Sequence, residues 1–127
     1  MSHSSAQMIA VSKDHLAKSR SNETVASSFD LTITEGIEWA ITATFYAAVH
    51  YVQAYLVTRN GPITSHTQRD SAIWRDGNIK PIYIDYQELK THSRDARYEA
   101  TPGFTTLDLA KQTQNLQKVK SAISQFL

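Results

Sequence analysis

Cysteine is absent from this 127-residue chain. That excludes a disulfide scaffold, a thiolate zinc site and a cysteine nucleophile. Glycine and proline are scarce as well, at four and three residues. A β-sandwich or barrel needs a turn signal every ~8–12 residues, which so few turn formers cannot supply. Charge of one sign is not in excess either: 13 basic against 12 acidic residues leave a net charge of +1. A global basic field is therefore missing, and any contact with nucleic acid has to come from a local patch. The longest apolar stretch, residues 37–57, carries Glu38, His50, Gln53 and two threonines. It reads as a buried helix of a soluble protein rather than a membrane span. No basic n-region opens the chain, so no secretory signal is expected, and a cytoplasmic location is the default.

What remains is 41% hydrophobic and 20% charged, enough for one packed domain over residues 1–127 with the first few residues disordered. Turn signals at 29–35, 60–62, 76–78 and 101–103 divide the chain into five segments. The first, about 7–28, is rich in Ser, Asn and Lys and predicts a half-buried helix with a break near 19–22. The second is apolar on every face from 37 to 57, as a central bundle helix requires; Thr34-Glu35-Gly36 opens it and Asn60-Gly61 stops it. Ser65 followed by Gln68 is a capping-box pattern for a short third helix ending near Trp74. Ile82, Tyr86, Leu89 and Ala96 form a helical stripe ending near Tyr98, with Pro81 in its first turn. Leu109, Leu116, Val119, Ile123 and Phe126 mark the fifth helix, capped at Thr105 or Thr106, with Asp108 near its positive end. The fold class is all-α, an antiparallel four- to five-helix bundle.

Three groups of residues carry possible chemistry. His50 sits inside the apolar helix, either as a hydrogen-bonded core histidine or as a ring aimed at a groove. Lys90, Arg94, Arg97 and Tyr98 share one helix face through steps of three and four, and clustered cations favour an anionic partner. Glu88 and His92 form an i,i+4 pair on another face. His66 and Arg69 lie one turn apart at a helix start, where free amides already favour anions. The five histidines show no spacing that assembles a metal site, and no glycine-rich phosphate loop is present. No cofactor is expected.

In order and spacing, three stretches resemble the HEPN family (higher eukaryotes and prokaryotes nucleotide-binding). Trp39-Ala40 through Phe45-Tyr46-Ala47-Ala48-Val49-His50 to Ala54-Tyr55-Leu56 is similar to the family's aromatic-Tyr-Ala-x-x-His helix. Ser65-His66 is similar to the Thr-His or Ser-His that opens its third helix. Leu89 through Ser93-Arg94-Asp95-Ala96-Arg97-Tyr98 resembles its Leu-x-x-x-Arg-x-x-Ala-x-Tyr stretch. The resemblance runs from about residue 35 to the C-terminal end. It implies a homodimer, RNA or nucleotide as ligand, and a nucleotidyltransferase as a possible protein partner, often in toxin–antitoxin or defence systems. Active members are metal-independent endoribonucleases with Arg followed by His after four to six residues. Arginine would hold the scissile phosphate and histidine would move the proton.

Arg94 matches the arginine of that pattern, but Tyr98, Glu99, Ala100 and Thr101 follow it where a histidine belongs. Three readings stay open. One is a dimeric binding module that engages phosphate through its Arg94, Arg97 and Tyr98 face, with Lys90, His66 and Arg69 beside it. The second is a divergent ribonuclease using Arg94 with one of the histidines, His50, His66 or His92, in place of the missing one, with Tyr98 standing where some members carry tyrosine. The third is a protein-interaction bundle with a solvated basic face. Dimerisation has a physical motive of its own: the central helix carries more apolar surface than polar neighbours can cover, which would place Trp39, Tyr51, Tyr55 or Trp74 near a second subunit.

Overall fold

The computed structural model describes residues 5–127, so the expected disorder of the first few residues falls mainly outside the described part. Five α-helices follow one another, with no strand among the described residues: α1 Ser5–Ala26, α2 Thr34–Asn60, α3 His66–Arg75, α4 Tyr83–Tyr98 and α5 Thr106–Ser124. A 3-10 turn at Lys80–Ile82 holds Pro81 and leads into α4. None of these helices is long and apolar enough to cross a membrane.

The central position of α2 follows from its all-round apolar sequence. Helices α1, α4 and α5 all pack on it, and Phe45, Val52, Tyr55 and Leu56 are fully buried. Each large side chain removed from water contributes roughly 1.5–3 kcal/mol. The helix stops at Gly61, whose φ of 75° lies in the left-handed region that glycine adopts without strain. It starts at Thr34, but no side chain caps it. What defines that end is Gly36. A Cβ there would stand 1.8 Å from the carbonyl oxygen of Asp30, so only glycine lets the preceding loop fold onto the first turn.

Helix α1 departs from expectation. The predicted break near 19–22 is not there, and the helix is continuous to Ala26. Ser19 is buried, and its hydroxyl donates to the carbonyl of His15 at 3.0 Å, so the serine is satisfied inside the helix instead of interrupting it. The buried residues of α1 are Ser12 and Ser19. Ser12 Oγ donates to the Ala54 carbonyl at 2.7 Å, a contact that draws the two backbones together.

The caps read from sequence form, with one shift. Ser65 Oγ accepts from the Gln68 amide at 3.1 Å, but the Gln68 side chain accepts from Thr64 N–H at 3.2 Å, one residue earlier than a capping box needs. Thr105 and Asp108 complete a full capping box on α5. Helix α5 also buries two amides: Gln112 Nε2 donates to Glu88 Oε1 at 3.3 Å, and Asn115 Nδ2 donates to Gln112 Oε1 at 3.2 Å.

Two of the four aromatics expected beside a second subunit are buried within this one. Tyr51 donates to Glu23 Oε2 of α1 at 2.5 Å, and Tyr55 to Asp76 Oδ2 at 2.8 Å. The apolar surface of α2 is covered within the bundle: Ile73, Tyr86, Leu89, Leu116, Val119 and Ile123 form the core with it, and Leu16 of α1 packs against that core. Trp39 and Trp74 stay outside, 56% and 53% exposed.

Candidate functional site

Along the seam where α2 meets α3 and α4, polar residues replace the core. Helix α2 contributes Tyr46 and Gln53, seven residues apart on one line. Helix α3 contributes His66, Arg69 and Asp70; helix α4 contributes Tyr86, Lys90, Ser93 and Arg97. Arg69 is 6% exposed. Its Nη1 donates to His66 Nδ1 at 3.0 Å and its Nε to Gln53 Oε1 at 3.4 Å, and both partners are uncharged. The guanidinium also lies beside the Tyr86 hydroxyl, though that oxygen completes no hydrogen bond. Burial pushes the Tyr86 phenol well above its ordinary value.

Arg97 repeats this arrangement farther along α4. Its Nη1 donates to Tyr46 Oη at 2.9 Å and to Ser93 Oγ at 3.0 Å. The guanidinium packs on the Tyr46 and Tyr98 rings at 5.5 and 5.4 Å, and Nε is buried without a partner. Between the two arginines, Lys90 pairs with Asp70 at 2.5 Å, leaving the other oxygen of Asp70 buried and unbonded. Among the described residues neither Arg69 nor Arg97 has a carboxylate partner. The resulting field acts on His66. Burial first, then the charges of Arg69, Lys90 and Arg97, hold its imidazole below the ordinary range against the opposing pull of Asp70.

Of the residues singled out by sequence, the structure thus brings together His66, Arg69, Lys90 and Arg97. Arg94 is not with them. It is exposed and paired with its neighbour Asp95 at 3.7 Å, because seven residues are close to two full turns whereas Arg94 falls off the line joining Lys90 and Arg97. The expected single face of three cations is therefore two, with the third in solvent. Tyr98 is 76% exposed, and neither it nor Arg94 forms a hydrogen bond or ring contact with a histidine among the described residues. Glu88 and His92 do not meet through their side chains. His92 Nδ1 lies 2.9 Å from the Glu88 carbonyl, while the Glu88 carboxylate takes Lys111 and Gln112.

His50 turns toward α1. Its Nδ1 lies 2.9 Å from Nδ1 of His15, and the rings stack at 5.1 Å between centroids. One ring must donate and the other accept, so at most one of the two can carry a charge. Burial, with the neighbouring His15, Lys18 and Arg69 charges adding to it, lowers His50 to about 4. Burial also lowers His15, opposed by Asp14.

Sequence reasoning passed over the partners that make the seam polar, Tyr46, Gln53, Asp70, Tyr86 and Ser93, and over His15, which meets His50 on the α1 side. A signal did exist for part of it. Trp39, Tyr46 and Gln53 recur every seven residues along the apolar helix, and Lys90 and Arg97 share that spacing on α4, where Arg97 meets Tyr46. No group of three or more His, Asp or Glu side chains among the described residues is placed to hold a metal ion. Comparison with protein-family models, characterised proteins and solved structures returns no significant match.

Proposed function

We propose that this chain is an RNA- or nucleotide-binding helical bundle, HEPN-like in role, that grips phosphate along the seam between α2, α3 and α4. One observation carries the reading: Arg69 is buried and Arg97 partly buried, and among the described residues neither guanidinium has a carboxylate to neutralise it. A buried charge without a counter-ion is costly, and a phosphate oxygen is the partner that planar guanidinium donors fit best. The homodimer and nucleotidyltransferase partner implied by the family resemblance belong to this proposal, as does a place in a toxin–antitoxin or defence system. Light scattering at micromolar concentration tests the dimer.

The direct test is a titration of a short fluorescein-labelled single-stranded RNA at several salt concentrations. Affinity is expected to fall with salt by about 0.7 log units per log unit for each phosphate neutralised. Arg69→Met and Arg97→Met are each expected to weaken binding about tenfold. Unchanged binding in both variants would overturn the reading and leave a protein-interaction bundle.

A second reading, a metal-independent endoribonuclease, draws on the Arg69–His66 contact. The imidazole is neutral where its Nδ1 accepts from Arg69, so its Nε2–H can donate a hydrogen bond to a developing oxyanion beside an arginine. Cleavage of the same RNA in EDTA, abolished by His66→Ala, is the result this reading requires; intact RNA removes it.

A further inference from the structure

Where α2 begins and α4 ends, the helices part around a cleft of about 250 Å³ lined by Glu38, Trp39, Thr42, Ala96 and Arg97. Its walls are chemically unlike one another. Trp39 leaves a large flat ring in water, 56% exposed, where a tryptophan of a single bundle gains nothing from being. Glu38 is half-buried, yet its carboxylate has no hydrogen bond or ion pair among the described residues; only its backbone carbonyl is engaged, by the Thr42 hydroxyl at 3.0 Å. Arg97 borders the same cleft without reaching that carboxylate. A half-buried acid and an uncompensated guanidinium that stand in one cleft without pairing leave room for a third group between them.

We infer that this cleft is a nucleobase subsite selective for guanine, lying at the end of the phosphate seam and resting on the reading of that seam given above. The space is below the ~300–1,000 Å³ of a site for a drug-sized ligand, and suits one flat base. Trp39 supplies the stacking surface, a contact every base can make. Selectivity comes from Glu38. Guanine carries N1–H and the 2-amino group side by side, two donors that one carboxylate accepts together. Adenine and cytosine set their amino group next to an acceptor nitrogen that a carboxylate repels. Uracil has a single N–H between two carbonyls. Arg97 remains available for the phosphate of the same nucleotide, so base and phosphate are read by different residues.

The test uses the full chain carrying Trp74→Phe, which leaves Trp39 as the sole tryptophan. Its fluorescence is titrated with GMP, AMP, UMP and inorganic phosphate. Quenching by GMP is expected at a concentration at least about tenfold lower than for AMP or UMP, and Glu38→Gln is expected to bring GMP to the level of AMP. By equilibrium dialysis, Trp39→Ala is expected to weaken all nucleotides about tenfold and leave inorganic phosphate unchanged. Equal affinity for GMP and AMP, or a preference that survives Glu38→Gln, overturns the guanine subsite while the phosphate seam stands. If the unaltered protein binds neither nucleotides, phosphate nor labelled RNA, the seam itself is wrong and the subsite falls with it.

Discussion

Along α1 the central helix faces serines and a neutral histidine pair; along α3 and α4 it faces the guanidinium groups of Arg69 and Arg97. Both seams are polar, and their physics is opposed. On the α1 side every polar atom named above has a partner of matching kind: Ser12 with the Ala54 carbonyl, Ser19 with the His15 carbonyl, His15 with His50, Tyr51 with Glu23. On the α4 side Asp70 Oδ1, Tyr86 Oη and Arg97 Nε are buried with none. Satisfied polar contacts specify how helices dock, whereas unsatisfied ones are expensive and mark places where something other than stability has been kept.

The comparison breaks most visibly in the shared core beneath the second seam. Leu89 is fully buried, and Leu89→Ala is expected to cost about 2–5 kcal/mol in urea unfolding. A loss under about 1 kcal/mol would mean that the α2–α4 interface is not a packed core. On the α1 side the sensitivity runs the other way, toward added volume. Ser12→Val removes the bond to Ala54 and inserts two methyl groups where backbones are close, and about 1–3 kcal/mol should be lost; an unchanged denaturation midpoint would show that α1 has slack.

Acid separates the seams by charge. His15, His50 and His66 all have folded-state values below the ordinary 6.5, His50 at about 4. Between those two pH values the unfolded chain binds protons that the folded chain refuses, so stability is full above 6.5 and declines as pH falls toward 4. For half-exposed rings the loss is about 1–2 kcal/mol after allowing for solvent screening. Denaturation midpoints at pH 7 and 4.5 measure it, and His15→Gln with His50→Gln should flatten most of the difference. A profile no flatter than the parent's would place the proton-sensitive groups elsewhere. The smallest effect is expected at Arg69→Met, which removes a buried cation and should raise stability by about 1 kcal/mol while weakening phosphate binding. A destabilised variant would make that arginine a structural strut.

The sequence spells out some of these features more plainly than others. Helix α2 is legible because no other element tolerates apolar residues on every face for so long, and the starts of α3 and α5 are legible because Ser65 and Thr105 cap by local chemistry. The continuity of α1 was hidden: its buried face is serine, and a serine says helix interior only once a neighbouring backbone is known to approach it. Within the site, His66 with Arg69 and Lys90 with Arg97 follow from helical spacing alone. The His15–His50 contact spans 35 residues and two helices, and no local pattern announces it. Glu38 carries no signal by itself either; its meaning depends on the cleft that α4 forms across from it.

Gly36 bears on that last point. Because Asp30 rests its carbonyl where a methyl would otherwise sit, the angle at which the first helix folds back is set by main chain against main chain. Side chains on the two helices then meet wherever that hairpin delivers them. Rewriting the surface of the first helix would change what the second one touches, while leaving untouched the direction from which it arrives.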